Sequence, residues 1–581
     1  MHRMGRRLTL TAVAVVACIM LAGCGGSSGG DETGDVGGDV SAKPAAIEFV
    51  TFPSITRLQP IVDVETGEAG DTIDLEAARG EREGGQVVAW ASEGAPRVIV
   101  EPTALVRNGG DRIAQTRVRA YIQQPMVVEQ GSPAGRAGTY VDPLVPAAAR
   151  DVVVADDERL LLWIDVDVPL DAAPGSYVGS VRIRRADGDG AAIGGDDGVL
   201  ARVPVRVRVR TATIPKVPTL ASHVGFDQSQ LIRFEGVEAG TVELRDVTER
   251  YARELADARL SIGDVGALPP GALPGHRDLP GDPAYLVRVF DGRGVASVRI
   301  PFYLDYPFED PLGIDRPAAL RYLRASARWA RAQGWADRMY VFAIDEPDES
   351  RAGEVRELHE LVRAADPGLR LLVTREASAR AFRGSVDIWS PNINPDRYRR
   401  ADVTRELAAG RETWWYPSIT TYQPFPTLFI DELRPTPRAL GWLAWRHGVR
   451  GILYWTATHW HEVEDPLTDP GTYNETDAVG NGDGVLMYPG ALAGLPGTPL
   501  PSVRLLQLRD GMEDHDLLAL AACVATPAQR VRLRRLVTVA APTLDRITPT
   551  EAQVTSMRAA AFELIDGAPV PAAARCRTAG Q

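Results

Sequence analysis

The sequence predicts an α/β protein: an N-terminal β-sandwich followed by a (β/α)8 barrel of the TIM type. Over residues 46–214 apolar and polar residues alternate, as in "LLLWIDVDVP" and "ARVPVRVRVRTATIP", the pattern of half-buried antiparallel strands. From residue 218 the pattern changes to eight short, continuously apolar runs with amphipathic stretches between several of them, which marks parallel strands buried on both faces. No GxGxxG follows any of these runs, so nothing recommends an open doubly wound sheet.

The chain begins "MHRMGRRLTLTAVAVVACIMLAGC", with basic residues ahead of an apolar run from Leu8 to Leu21. That run is shorter than the ~20 residues a bilayer span needs, so residues 1–23 read as a cleaved signal peptide. "LAGC" resembles a bacterial lipobox, which implies cleavage before Cys24 and lipid attachment to its thiol. Residues 24–45, with "GGSSGGDETGDVGGDV", then form a flexible tether. The expectation is a protein outside the cytoplasm, lipid-anchored to the bacterial cell membrane and touching the membrane by that anchor only.

With Cys18 removed and Cys24 lipidated, Cys523 and Cys576 remain, a pair that an exported protein can join in a disulfide. No CxxC pair signals a structural zinc. A formal charge of -13 with scattered arginines argues against a nucleic-acid partner, which would want a basic stripe.

Residues 46–214 carry turn signals such as "APGSY" and "RADGDG" between strands. The Asp/Gly loop "ADGDGAAIGGDDG" lacks a regular calcium-ligand spacing and reads as a hairpin connection. The barrel, residues 218–523, takes its strands from "ASHVGF", "LSIGDV", "SVRIPFY", "YVFAID", "LRLLVT", "VDIWSP", "ETWWYPS" and "RGILYWTA". Helices such as "PAALRYLRASARWARAQG" lie between several of them. Residues 524–581 are expected to be a C-terminal helical segment.

In such a barrel the chemistry gathers at the C-terminal ends of the strands. The fourth run ends there in two adjacent acids, Asp345 and Glu346, followed by Pro347. Along a regular strand neighbours face opposite sides, so a local twist is needed to aim both into one pocket. Around the same rim the order places His223 and Asp227 after the first run, then Tyr303, Asp305 and Tyr306 after the third. Arg375 follows the fifth, Asn392 and Asn394 the sixth, Tyr416 the seventh, and Trp455, His459 and Trp460 the eighth.

Hydrolysis of a glycosidic bond needs an acid for the departing oxygen and a second group to stabilise charge at the anomeric carbon. A 2-acetamido substrate supplies its own nucleophile, its carbonyl oxygen. Adjacent acids suit that case, Asp345 orienting the acetamido N–H and Glu346 protonating the leaving group.

"YVFAIDEP", "DIWSP", "WWYPS", "ALGWLAWRHGVRGILYWTATHW", "GDGVLMYPG" and "LPSVRLLQLRDGMEDHDLLAL", in this order, resemble domain of unknown function 4091. That domain is related to the catalytic domain of glycoside hydrolase family 123, the β-N-acetylgalactosaminidases. The likeness runs over most of residues 218–523, and the preceding sandwich matches the usual layout. It implies a substrate-assisted, retaining N-acetyl-β-hexosaminidase of the β-N-acetylgalactosaminidase type, acting on a glycan without a cofactor, with the family's Asp-Glu pair falling on Asp345 and Glu346.

Of the tryptophans in the late strands, one of Trp414 and Trp415 must face the barrel interior and the other the helices. Tyr416 and Trp455, nearest their strand ends, are the pocket candidates, and Tyr303 or Tyr416 could hold the acetamido oxygen. "HWHE" sets His459, His461 and Glu462 close together but signals no third metal ligand, so no metal site is expected. Asp483 in "GNGDGVLMYPG" is either a sugar contact or part of a structured turn. "RLLQLRDGMEDHDLLAL" reads as an ion-paired helix closing the barrel, with Arg509 and Glu513 at i, i+4. The rivals to an enzyme are a surface glycan-binding lipoprotein on an inactive barrel and a purely structural envelope protein.

Overall fold

Strand Val199–Thr213 shows how the sequence pattern becomes a layer. Val203, Val205, Val207 and Val209 are buried while Arg202, Arg206 and Arg208 stand in solvent. Arg206 and Arg208 reach Asp74 and Glu76 on the parallel neighbour Ile73–Arg79. In this computed structural model the structure describes residues 47–60, 69–133, 135–155, 158–188, 190–193, 195, 198–263, 284–394, 396–421, 424–432, 434–461, 463–471, 473–475, 478–569 and 576. The expected signal peptide, tether and lipidated Cys24 lie outside them.

Two sheets make the N-terminal layer pair. One has five strands in the order Ile47–Pro53, Arg82–Ala91, Leu160–Asp167, Val118–Val128, Gly138–Pro146, all antiparallel. The other has seven, built around Gly175–Arg185 and Val199–Thr213. Their inner faces share one apolar core that includes Val87, Ala89, Leu162, Ile164, Val181, Ile183 and Val205.

Among the described residues the C-terminal region contains seven parallel strands: β1 (Ala221–Val224), β2 (Val298–Ile300), β3 (Met339–Phe342), β4 (Arg370–Val373), β5 (Ile388–Trp389), β6 (Glu412–Trp415) and β7 (Gly451–Tyr454). Their spatial order is β1-β7-β6-β5-β4-β3-β2, a barrel lacking only its last junction, between β1 and β2. Of the eight strands expected, seven are found among the described residues. The described part of the run "LSIGDV", residues 260–263, contributes a single bridge, Ile262 beside Val224.

Side chains do across that junction what a ladder does elsewhere. Ser297 accepts from the Ser222 amide and donates to its carbonyl, Ser222 accepts from the Ser261 amide, and Arg299 Nη1 donates to the Gly263 carbonyl at 3.3 Å. The strand–helix alternation is also incomplete. Only a short turn of 3-10 helix, Arg380–Phe382, follows β4.

The barrel interior is filled by Tyr340, Leu372, Ile388, Trp414, Tyr416 and Leu453, so it is a packed core rather than a channel. Trp414 faces inward, edge-on to Tyr340 with ring centres 5.2 Å apart, and Trp415 faces outward against Tyr398. A Cβ on Gly451 would lie 2.4 Å from the Trp414 ring, which explains a glycine at that strand start.

Helix Val503–Val524 is buried nearly all round and fastens the barrel to the sandwich. Val503 and Leu506 pack on Tyr121, Leu144 and Trp163 of the five-stranded sheet. Arg504 reaches Asp142 at 2.7 Å and Arg509 reaches Asp165 at 2.7 Å. The expected local partner of Arg509, Glu513, instead accepts from the Arg82 amide. Arg509 is held instead by Asp165 of the sandwich and by Asp510, the next residue of its own helix.

Helices Pro527–Ala540 and Glu551–Ile565 follow, each opened by a threonine capping box. Cys523 is disulfide-bonded to Cys576 with Cα atoms 5.2 Å apart, within the ordinary range for that bond. Among the described residues no helix is long and apolar enough to cross a membrane.

Candidate active site

β3 delivers Asp345 and Glu346 to the C-terminal end of the barrel, as the order of apolar runs predicts. The twist that two consecutive acids require is found at Glu346, whose φ is +37°. A residue other than glycine is rarely left-handed, and holding it there needs support from its surroundings. Thr374, one residue past the end of β4, gives part of it: its hydroxyl oxygen accepts from the Glu346 amide at 2.6 Å. The same hydroxyl donates to Asp345 Oδ1 at 2.7 Å. Tyr416, one residue past β6, donates its hydroxyl to Glu346 Oε1. Each carboxylate thus has a hydroxyl donor from a different strand.

Solvent reaches both acids, yet Asp345 is recessed enough that burial raises its pKa above the usual carboxylate range. The hydrogen bond from Thr374 opposes that rise, and the Glu346 charge reinforces it. Burial and the adjacent Glu346 carboxylate push the Tyr416 phenol well above its ordinary value, so it remains a donor at any physiological pH.

The other rim residues separate into those near the acids and those used elsewhere. Arg299, from the centre of β2, lies with its guanidinium 4.3 Å from the centre of the Tyr303 ring and 5.3 Å from that of Phe342. Its field favours the charged form of Asp345. His223 is buried beside it, with Nδ1 2.7 Å from the Tyr340 hydroxyl. Burial, helped by Arg299, lowers the His223 pKa far enough to keep the ring neutral. Gly263 makes room for it, since a Cβ there would lie 2.3 Å from the imidazole. Asp305 is exposed in the turn where the Tyr303 amide donates to the Tyr306 carbonyl.

Arg375 pairs with Glu376, which also holds Arg397 at 3.1 Å, and Arg397 is close enough to feel the charge of Glu346. Asn392 is buried in a polar knot. It donates to Ser418 and Thr420 and accepts from Thr421 and Asn394, which fixes the loop after β6. Asp227 caps helix Gln228–Glu235 and pairs with His461 at 2.6 Å.

Trp455 is half-buried after β7, its indole N–H donating to Asp483 at 3.2 Å and its ring 4.8 Å from that of His459. Asp483 is not a sugar contact. It is buried, accepts from the Ile419 amide and the Tyr454 hydroxyl as well, and burial raises its pKa to about 6. Trp460 is likewise corrected: it is 1% exposed, with its N–H on the Met487 carbonyl and its ring against Phe234 and Tyr251. It packs helices and has no place at the mouth. Glu462 lies outside the described residues, and among those residues no cluster has the makings of a metal site.

Sequence reasoning missed Thr374 and Arg299. A buried arginine inside the apolar run "SVRIPFY" was a legible signal for the second. The first carried only a hydroxyl at the end of "LRLLVT".

Residues 316–521 match the family model described as glycoside hydrolase 123, catalytic domain, and residues 61–185 match glycoside hydrolase 123 N-terminal domain. Among solved structures, a family 123 glycoside hydrolase from Clostridium perfringens, studied for glycolipid glycan hydrolysis, is similar over 90% of this chain and 98% of that one. Its TM-score is 0.64 and the identity 13%. A Bifidobacterium dentium β-glucuronidase aligns over 81% of this chain and 66% of its own, with a TM-score of 0.24 and 11% identity. No curated protein matches the chain by sequence.

Proposed function

The chain is a glycoside hydrolase carrying the family 123 catalytic and N-terminal domains, and we propose that it releases a terminal 2-acetamido sugar by substrate-assisted, retaining hydrolysis. The observation that carries this reading is the pair of consecutive carboxylates at the end of β3, each held by its own hydroxyl donor.

Acids on adjacent residues approach one side of a pyranose more readily than they flank it. The nucleophile's place then falls to the acetamido oxygen of the substrate, in contrast to the usual two-carboxylate arrangement. Asp345 accepts the acetamido N–H, aims its carbonyl oxygen at the anomeric carbon and offsets the positive charge of the oxazolinium that forms. Glu346 gives its proton to the departing oxygen, then takes one from the water that opens the ring. Tyr303 and Trp455 offer aromatic faces to the sugar. The Clostridium perfringens relative's action on glycolipid glycans supports a glycoconjugate substrate. The lipobox-like "LAGC" supports a lipid-anchored, extracytoplasmic location through Cys24.

The test is turnover of an aryl N-acetyl-β-hexosaminide. Glu346→Gln abolishes it, and Asp345→Asn slows it sharply with the fold intact. Equal cleavage by the wild type of aryl glycosides without the acetamido group would refute substrate assistance, and glycan binding without product would favour an inactive barrel. Release of the protein from membranes by Cys24→Ser tests the anchor.

A further inference from the structure

We propose that Thr374 is the positioning residue of the acid pair, its single hydroxyl tying the Glu346 backbone to the Asp345 carboxylate and fixing which Asp345 oxygen is left for the substrate. The inference rests on reading Asp345 as the group that orients the acetamido N–H.

A hydroxyl has one proton to give. Oγ1 of Thr374 accepts from the Glu346 amide at 2.6 Å, and its own proton goes to Asp345 Oδ1 at 2.7 Å. An ionised carboxylate only accepts, so the direction of this relay is set by chemistry. It holds Asp345 as an unprotonated acceptor at Oδ1 and assigns Oδ2 to the acetamido N–H. It also pins the peptide that links the two acids, the one with φ +37° at Glu346.

The barrel register delivers the hydroxyl. Phe342 pairs with Leu372 across β3 and β4, which brings Thr374 level with Ile344, next to Asp345. Thr374 itself is 4% exposed. The charged and titratable groups facing Asp345 are Glu346 on its own turn, Arg299 from β2 and Tyr416 from the end of β6. Burial and the Glu346 charge oppose its ionisation, while the Thr374 bond, the Glu346 amide and Arg299 favour it.

Thr374→Val keeps the β-branched shape and loses the hydroxyl; Thr374→Ser keeps the hydroxyl. On an aryl N-acetyl-β-hexosaminide the Val variant is expected to lose about 10- to 100-fold in kcat, with KM within about threefold. The acid limb of its kcat/KM profile should move to higher pH. The Ser variant should stay within about threefold of wild type with its acid limb in place. A Val variant with wild-type kcat and acid limb overturns the proposal, as does a Ser variant that falls as far as Val.

A second readout needs no turnover: the carbon-13 titration of the Asp345 carboxyl, assigned by its loss in Asp345→Asn. A midpoint raised in the Val variant alone supports the role of Thr374 even if the wild type releases no acetamido sugar, which would sink the functional reading instead. An unmoved midpoint overturns the proposal whatever the activity.

Discussion

Tyr416→Phe isolates one hydrogen bond at Glu346, the proposed general acid. The ring is 8% exposed and is kept in the variant, as are the backbone bonds from the Tyr416 amide to Pro391 and from the Ile393 amide to Tyr416. What is lost is the O–H donated to Glu346 Oε1. In the proposed mechanism Glu346 passes its proton to the departing oxygen, so that negative charge develops on the carboxylate and the bond strengthens. A neutral hydrogen bond contributes about 0.5–1.5 kcal/mol and one to a charged group about 1.5–3 kcal/mol, so the gain at full charge is about 1–2 kcal/mol. Only interactions stronger in the transition state raise the rate. The expected loss is therefore about 5- to 30-fold in kcat, with a smaller change in KM. Steady-state kinetics on an aryl N-acetyl-β-hexosaminide, beside a thermal unfolding curve, measures it. A variant with unaltered kcat and fold would refute the reasoning that Tyr416 supports Glu346 during proton transfer.

Arg504→Met leaves Asp142, which is wholly buried, without its main cationic partner and should cost about 3–5 kcal/mol in denaturant unfolding. Arg504→Met with Asp142→Asn should recover part of that loss, and a double variant no better than the single contradicts the account. Gly484→Ala places a Cβ 2.4 Å from the Trp455 ring at a φ of +75°, so KM should rise while a thermal shift reports a folded protein. Burial raises Glu81 to about 7 and Asp510 and Asp483 to about 6, so these carboxyls make stability fall between about pH 5 and pH 7.5, whereas His223 and His447, which burial keeps neutral in the fold, make it rise as pH passes the ordinary histidine value. The protonated carboxyls favour the folded state below those values, and that contribution is lost as pH rises through them. Asp165 and Asp514, held low by arginines in spite of burial, act in the opposite sense only at more acidic pH. In Glu81→Gln the carboxyl share of the fall should be smaller than in the wild type, and a variant whose melting temperature keeps the wild-type pH slope would contradict this.

The elements legible in the sequence are those whose burial is decided locally. Val203 to Val209 alternate in and out because a strand face repeats every second residue, and "YVFAID" read as a strand because both its faces are covered. The run "LSIGDV" has the same apolar look but makes one bridge, since Ser222, Ser297 and Arg299 side chains take over the junction. No periodicity reports such a substitution. Trp455 and Trp460 look alike at a strand end. Phe234 and Tyr251, distant in sequence, bury the second. Arg509 obeyed no i, i+4 rule because Asp165 of the sandwich competes for it. The acid pair was legible from its place at a strand end. Its two hydroxyl donors come from strands β4 and β6, and only closure of the barrel brings them together.

The central claim is tested most directly by a crystal structure with an N-acetylhexosamine thiazoline, the stable mimic of the bicyclic intermediate. The account predicts the ring nitrogen of the mimic on Asp345 and Glu346 beside the anomeric carbon, with Tyr416 still within reach of Glu346. A mimic that fails to bind, or that binds away from these two acids, would contradict it.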